Sequence, residues 1–139
     1  MYRYRYWKEI ELRFSPEGTA PWPKEPKFLD GNLLSAATGT IVATNSDLLP
    51  LSVPAGIPKR GVDLGLDAVT LVILDNKKNI GFSTEILYEG RLSFTDGDVL
   101  LQDDGVTIQN IELIKSFEPK AKELGLDALS FYLYWRQQR

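Results

Sequence analysis

The sequence predicts an all-β domain made of two copies of one unit, with internal pseudo-two-fold symmetry and a barrel or sandwich form. Three observations lead to this prediction: an internal repeat, alternation of apolar and polar residues, and Asp-Gly pairs beside apolar stretches. A length of 139 residues suits a single core, so we expect residues 1–139 to form one domain.

The repeat is clearest at residues 64–68 and 124–128, which both read Leu-Gly-Leu-Asp-Ala. Two further blocks recur in the same order, and beyond them Asn45 corresponds to Asn110 and Gly39 to Gly105. These blocks are residues 14–17 with 82–85 and residues 28–34 with 94–100. The offset between the copies falls from 68 to 66 to 60 residues, which small insertions in connecting loops explain.

The two units are permuted along the chain. Copy two spans about residues 64–123, whereas copy one spans about 7–63 and takes its leading strand from 124–135. Because the chain ends with the strand that should precede its beginning, residues 129–135 are expected to run antiparallel to the N-terminal strand. The N- and C-terminal strands should therefore pair and close the structure.

The two terminal strands differ in their exposed side chains. Residues 7–14 alternate, with Ile10, Leu12 and Phe14 on one face and charged residues on the other, which predicts a half-exposed strand. Residues 130–135 carry several aromatic side chains, which suits a strand near the rim, where hydroxyl and indole groups reach water.

A hairpin is predicted in the middle of the chain. Residues 69–74 are almost continuously apolar and rich in β-branched side chains, which favours a central strand that is covered on both faces or lies in a barrel wall. This strand should pair with residues 80–84 across a turn at 75–79.

The remaining segments are assigned from glycine, proline and short apolar patterns. Asp-Gly pairs predict turns, because Asp tolerates the left-handed region and Gly supplies a positive φ. The pairs lie at residues 30–31, 96–97 and 104–105. Short helices are predicted at residues 110–117 and 119–124, and loops at residues 15–27 and 51–60.

Composition excludes several classes of chemistry. The chain has no His and no Cys, so it has no His-based or Cys-based nucleophile, no zinc, haem or iron–sulfur ligation by these residues, and no disulfide. A net charge of -3 gives no electrostatic drive toward nucleic acid or an anionic bilayer. We expect no membrane span, and residues 1–14 lack the apolar stretch of a signal peptide.

Four blocks resemble tandem repeats of bacterial, mostly exported, proteins of unknown function. The resemblance rests on residues 82–85, 97–101, Asn110 and 125–128 of copy two, and on residues 14–15, 32–35, Asn45 and 65–68 of copy one. Copy one has Asn32 where the pattern usually has Asp. The resemblance implies a structural or binding module of a cell-surface protein in an extracellular or periplasmic location, and it implies no catalytic residue.

Acidic turn residues allow two interpretations. We expect Asp30, Asp67, Asp96 and Asp127 to be structural, with carboxylates that accept backbone N–H groups of neighbouring turns. The alternative is a calcium site, because hard cations take carboxylate oxygens from flexible turns. Its candidate ligands are Asp96, Asp98 and Asp103. The spacing of an EF-hand loop is absent here, so no cofactor is favoured.

The hypothesis that the protein is an enzyme is less favoured. A carboxylate-dependent hydrolase could draw an acid and a base from Glu85, Glu89, Asp96 and Asp98. Glu17 and Glu85 recur as a pair, however, and a small domain seldom needs two symmetric active sites, so the duplication favours an architectural role.

The preferred function is a non-catalytic β module that contacts a protein or carbohydrate partner through aromatic side chains at its rim. The aromatic candidates are Trp22, Tyr88, Tyr132, Tyr134 and Trp135. A homo-oligomeric scaffold that associates through apolar strand edges is a further alternative, and the sequence leaves the oligomeric state open.

Overall fold

The computed structural model describes residues 12–20, 28–117 and 123–131, which form two antiparallel sheets and a few short helices. The prediction of an all-β chain is confirmed. The first sheet contains β1 (Arg13–Phe14), β2 (Leu33–Ser35) and β3 (Thr40–Ala43) in that order. The second contains β4 (Ala68–Leu74), β5 (Lys77–Ser83), β6 (Val99–Leu101) and β7 (Gly105–Ile108), also in chain order.

A short helix follows the last strand of each sheet. Helix α1 (Asn45–Leu48) comes directly after β3, and helix α2 (Asn110–Ile114) follows β7 and continues into a 3-10 turn at Lys115–Phe117. The sequence predicted the second helix, whereas the first was not predicted. None of the helices in the described part of the chain is long and apolar enough to cross a membrane.

The β4–β5 hairpin confirms the predicted pairing and shortens its turn. Ala68 pairs with Ser83 at one end and Leu74 with Lys77 at the other, so the turn consists of Asp75 and Asn76 alone. Both turn residues have positive φ, at 49° and 60°. A two-residue turn of this kind matches the right-handed twist of its strands, and Asp and Asn tolerate the left-handed region better than most other side chains.

The expectation of a central β4 is wrong for the described sheet, in which β4 pairs with β5 alone and forms the edge. Leu71 and Ile73 are each 49% exposed. An unbroken apolar run suggests a strand buried on both faces, but in β4 only some of the apolar side chains are buried. Strand preference reflects fit to a half-buried pleated surface, so β-branched residues also suit an edge strand.

Strand register is the same in the two sheets at positions that the sequence repeat aligns. Phe14 faces Leu34 in the first sheet as Phe82 faces Leu100 in the second. The β2–β3 and β6–β7 pairs also share a bulge, which lies after the first residue of β2 and of β6. The described residues form no closed barrel. The predicted pairing of residues 129–135 with 7–14 falls largely outside them, and its described parts, residues 129–131 and 12–14, do not form a ladder with each other.

One apolar core lies against both sheets and receives both leucines of the first Leu-Gly-Leu-Asp-Ala block. Its fully enclosed members come from β2, β5, β6, α1 and the connecting loops, and they include Leu33, Leu48, Leu66, Phe82 and Leu100. Burial of these side chains supplies the main favourable free energy of folding.

The predicted loop at residues 51–60 is held to α1 chiefly by the Arg60 side chain, and the Ser46 hydroxyl also donates to the Ala55 carbonyl oxygen at 2.9 Å. The Arg60 guanidinium donates hydrogen bonds to the carbonyl oxygens of Ser46 (2.7 Å), Leu49 (3.1 Å), Pro50 (2.6 Å) and Ala55 (3.1 Å). Two of these carbonyls lie in or next to α1, where the last turn of a helix leaves carbonyls without helical partners. Arg60 is therefore a structural residue that fastens the loop to the helix end.

Candidate functional site

A set of buried polar side chains lies where the Asp-Gly turns meet the Leu-Gly-Leu-Asp-Ala blocks. Asn45, the first residue of α1, is buried and accepts a hydrogen bond from the Leu64 amide through Oδ1 at 2.7 Å. Its Nδ2 donates to the carbonyl oxygens of Gly31 (3.0 Å) and Gly65 (3.3 Å). One amide side chain thereby ties together three backbone segments.

Asn110, the first residue of α2, makes corresponding bonds in the second sheet. Its Oδ1 accepts the Leu124 amide at 2.6 Å, and its Nδ2 donates to the Gly97 carbonyl oxygen at 2.9 Å. Both asparagines therefore join an Asp-Gly turn to a Leu-Gly-Leu-Asp-Ala block. Buried amides of this kind must be satisfied, because leaving their donors and acceptors unpaired costs stability.

The glycines of the two turns are required for close approach. A Cβ on Gly31 would lie 2.6 Å from Cγ of Asn45, and a Cβ on Gly97 would lie 2.6 Å from Cγ of Asn110. Neither glycine has a positive φ, which corrects the conformational reason expected from the sequence; Gly105 alone of the three Asp-Gly glycines has one, at 81°. A side chain at either turn would displace the asparagine.

Asn32 and Asp98 occupy equivalent positions just after these glycines, and both are buried. The Leu29 amide donates to Oδ1 of Asn32 at 2.8 Å, as the Thr95 amide donates to Oδ2 of Asp98 at 2.9 Å. The other oxygen of Asp98 accepts the Asn110 amide at 2.7 Å. Both carboxylate oxygens of Asp98 are thus bonded to backbone N–H groups.

A carboxyl pair, Asp30 and Asp63, lies beside the hydrogen bonds of Asn45, and we call the hydrogen-bonded groups around Asn45 and Asn110 the asparagine brackets. The Gly65 amide donates to Oδ1 of Asp63 at 3.2 Å. Burial, followed by a hydrogen bond with the Asp30 carboxyl, raises the pKa of Asp63 to about 6. Two carboxyl groups in contact cannot both ionise without mutual repulsion, so this pair holds a proton at mildly acidic pH.

A second carboxyl pair lies at the corresponding place beside Asn110. A hydrogen bond with the Asp96 carboxyl, together with partial burial, raises the pKa of Glu123. The Gly97 amide donates to Oε1 of Glu123 at 3.1 Å. Asp63 and Glu123 each stand immediately before a Leu-Gly-Leu-Asp-Ala block, and this shared acidic position is the sequence signal that could have identified both residues.

Further carboxylates surround the two pairs. Burial and then the nearby negative charges of Asp127 and Asp96 raise the pKa of Asp67. Burial and then the charge of Asp30 raise the pKa of Glu85, and Asp67 contributes after it. All four turn carboxylates predicted from the sequence therefore belong to one acidic region, which we call the carboxyl cluster: Glu17, Asp30, Asp63, Asp67, Glu85, Asp96, Glu123 and Asp127.

The calcium candidates are dispersed by the fold. Asp96 belongs to the carboxyl cluster, Asp98 is bonded to backbone amides, and Asp103 is exposed in the β6–β7 turn with φ 66°. Within residues 12–20, 28–117 and 123–131, no group of three or more acidic side chains has the arrangement of a metal site. Glu89, a candidate for the hydrolase reading, is exposed in the loop after β5.

One aromatic candidate lies in the described part of the chain. The ring of Tyr88 is half-buried and packs on Phe94, with a centroid separation of 5.7 Å and a tilt of 41°. The two residues also exchange backbone hydrogen bonds of 2.9 Å in each direction. The other aromatic candidates, Trp22, Tyr132, Tyr134 and Trp135, lie outside the described residues.

A groove of about 250 Å³ lies between the β4–β5 hairpin and the first sheet. The groove is lined by Arg13, Leu33, Val69, Thr70, Leu71, Lys78 and Ile80. Most of these described lining residues are apolar, and the two charged ones among them are cationic.

Comparison with protein-family models, with curated proteins and with solved structures finds no match to this chain.

Proposed function

We propose that this chain is a non-catalytic β module, a structural or binding domain of an exported or cell-surface bacterial protein that contacts a protein or carbohydrate partner. The observation that carries the proposal is the way its buried polar side chains beside the Asp-Gly turns are used. Asn45 and Asn110 share two backbone bonds, one to an Asp-Gly turn and one to a Leu-Gly-Leu-Asp-Ala block, and both oxygens of Asp98 accept hydrogen bonds from backbone amides. Side chains held in this way position backbone and are not free to act on a substrate.

The proposed architecture is an internal duplication with a pseudo-two-fold relation between its halves. Matched strand registers, matched bulges and matched asparagine brackets support it. In this architecture residues 129–135 pair with residues 7–14, as β4 pairs with β5, and a barrel or sandwich results. The resemblance to repeats of exported bacterial proteins fits the same arrangement.

Partner contact is proposed through aromatic side chains at the rim, because such rings combine a large apolar face with a polar edge. The test is an array of defined polysaccharides and extracellular matrix proteins, probed with the fluorescently labelled full chain. We expect saturable binding to one class of surface, without release of soluble sugar. A full panel without saturable binding would contradict the proposal.

A small carboxylate-dependent hydrolase is a second candidate, which the Asp30 and Asp63 pair favours. A carboxyl whose pKa is raised to about 6 is suited to donate a proton at near-neutral pH. The corresponding pair of Asp96 and Glu123 weighs toward an architectural role, because both halves of the proposed duplication contain the arrangement.

The two candidates are separated by measuring reducing-sugar release from the same polysaccharides. Wild type is compared with Asp63→Asn and with Glu123→Gln, which alters the equivalent pair. The binding proposal expects no release from any of the three proteins. Release that is lost in Asp63→Asn and retained in Glu123→Gln would establish the hydrolase instead.

A further inference from the structure

We propose that the groove between the β4–β5 hairpin and the first sheet binds a small amphiphilic carboxylate. Its apolar tail would lie against Leu71 and Ile80, and its carboxylate would pair with the Lys78 ammonium. Tyr88, the rim aromatic that the structure describes, is not among the residues that line the groove.

The charge of the lining residues supports an anion. The whole chain has 19 acidic and 16 basic residues, yet among the described residues that line the groove Arg13 and Lys78 are cationic and none is a carboxylate. In the described part of the chain, the Lys78 ammonium has no ion-pair partner. A lysine ammonium pairs with a carboxylate or a phosphate by charge-assisted hydrogen bonds, and the carboxylate is the smaller of the two groups.

The strand register places the cation next to the apolar wall. Leu71 is the cross-strand partner of Ile80, and Lys78 lies two residues from Ile80 on the same face of β5. Side chains two residues apart along a strand are separated by roughly 7 Å. A ligand with a carboxylate at one end and a short apolar tail can therefore meet both.

The corresponding place in the other half of the proposed duplication is filled by the chain itself. Gly81 faces Leu101 as Arg13 faces Ser35, and Phe131 stands in its block where Leu71 stands in the earlier one. Cε2 of Phe131 lies 3.5 Å from the position that a Cβ on Gly81 would take. The ring thus lies over Gly81.

The groove combines a shorter side chain with an added cation. Arg13 stands where the other half has the glycine, and Leu71 replaces the aromatic ring, which leaves an apolar space beside Lys78. The tail of the ligand would take the place that the Phe131 ring takes in the other half. The analogy with Phe131 rests on the duplication in the proposed function. Ligand binding to the groove can be measured whether or not the aromatic rim binds a partner.

The size of the groove indicates a small molecule. A volume of about 250 Å³ is below the roughly 300–1,000 Å³ of most ligand pockets, so a phenyl ring with a short chain is a suitable probe. We therefore choose 4-phenylbutyrate as the probe and 4-phenyl-1-butanol, which has the same tail without charge, as its control.

The experiment is a titration of the full chain followed by amide and methyl NMR shifts. We expect saturable shifts at Leu33, Val69, Leu71 and Ile80 with a dissociation constant of about 0.1–1 mM, and at least roughly fivefold weaker binding of the alcohol. Shifts that do not saturate, or equal binding of acid and alcohol, would refute the proposal.

Matched variants locate the site. Leu71→Phe fills the groove with the ring that the other half contains, and it should abolish binding; Leu71 is half-exposed, so the fold should tolerate the change. Lys78→Gln should weaken binding about tenfold. Lys77→Gln, whose side chain lies on the opposite face and pairs with Leu74, should change it less than about twofold.

An NMR spectrum of each free variant tests its fold independently of ligand binding. Well-dispersed spectra with unchanged binding in Leu71→Phe would exclude this groove as the site. An equal loss in Lys77→Gln and Lys78→Gln would show general charge attraction and would also overturn the proposal. Failure on the polysaccharide and matrix array alone would contradict the proposed function and leave this site intact.

Discussion

The two short helices begin in similar positions, but their first turns are held by different means. In α1 the Thr44 side chain accepts the Asp47 amide at 3.3 Å, and Oδ2 of Asp47 accepts the Thr44 amide at 2.9 Å. The hydrogen bond from the Thr44 amide lowers the pKa of Asp47, with a smaller contribution from Lys59. This reciprocal capping box satisfies amides that have no helical partner.

In α2 the residue before the helix is Gln109, whose side chain makes no capping bond. The Asn110 amide donates instead to Oδ1 of Asp98, which lies 12 residues earlier in the chain. The equivalent residue in the other half is the neutral Asn32. The comparison shows that the first turn of a helix can be held by a local capping box, as in α1, or by a carboxylate distant in sequence, as in α2. Because α1 has its own cap, the residue equivalent to Asp98 can be the neutral Asn32.

The largest difference between the sheets should concern two phenylalanines at the same register position. Phe82 is 0% exposed and Phe14 is 42% exposed. We expect Phe82→Ala to lower the free energy of unfolding by about 3–5 kcal/mol, since it leaves a cavity in the core. Phe14→Ala should cost about 1 kcal/mol, because much of its ring already contacts water.

Urea unfolding followed by circular dichroism measures both values. Similar losses in the two variants would show that the first sheet buries as much apolar surface as the second. The comparison of core contributions would then be wrong.

Loss of Asn45 and loss of Asn110 should lower the free energy of unfolding by more similar amounts than loss of the two phenylalanines. We expect Asn45→Ala and Asn110→Ala each to lower the free energy of unfolding by about 2–4 kcal/mol, because buried backbone amides and carbonyls lose their partners. Asn79→Ala is the control, since its Nδ2 makes only an exposed bond of 3.4 Å to the Lys77 carbonyl oxygen. The control should change stability by less than about 0.5 kcal/mol.

Thermal unfolding of the three variants side by side tests this. If one bracket variant resembles the control, its hydrogen bonds do not hold that half together. The equivalence of the halves would then not extend to their energetics.

The exchange of Asp98 and Asn32 tests the two ways of holding a helix start. Asp98→Asn should cost about 1–2 kcal/mol, because an amide side chain has one acceptor oxygen for two backbone donors. Asn32→Asp should cost less than about 1 kcal/mol, because the added oxygen lies in the half whose helix already has the Thr44 cap. Hydrogen exchange at the Asn110 amide gives a local readout, and unchanged protection there in Asp98→Asn would contradict the argument.

Local patterns predicted much of the fold. Alternation and turn chemistry were enough for the β4–β5 hairpin and for α2, because both depend on residues that are close in sequence. Helix α1 was not predicted, although the repeat had already aligned Asn45 with Asn110. Its signal, Thr44 followed three residues later by Asp47, was available in the sequence.

The candidate site was less predictable because its partners are distant in sequence. The repeat identified Gly31, Gly97 and the asparagines, but the bonds between them span 14 and 13 residues. Asp63 and Glu123 differ in residue type, so the blocks of identical residues do not include them. The exposure of β4 likewise depends on how one sheet packs on the rest, which periodicity does not encode.

The smallest expected effect concerns the carboxyl pair of Asp30 and Asp63. Folding raises the pKa of Asp63 from 3.8 to about 6, so the folded chain binds this proton more tightly than the unfolded chain. The resulting stabilisation is complete below pH about 4 and is lost as the pH rises through about 6. Because Asp63 is partly exposed, we expect a loss of about 1 kcal/mol between pH 4 and pH 7, which is less than the full shift would give.

Asp63→Asn should remove this part of the pH dependence, because the amide does not titrate. Glu123→Gln serves as the matched control at the more exposed pair, where we expect a smaller change. Urea midpoints measured at half-unit steps from pH 4 to pH 7 give the comparison. Stability that rises across this range in wild type, or a pH profile unchanged by Asp63→Asn, would show that Asp63 does not hold its proton in the folded chain.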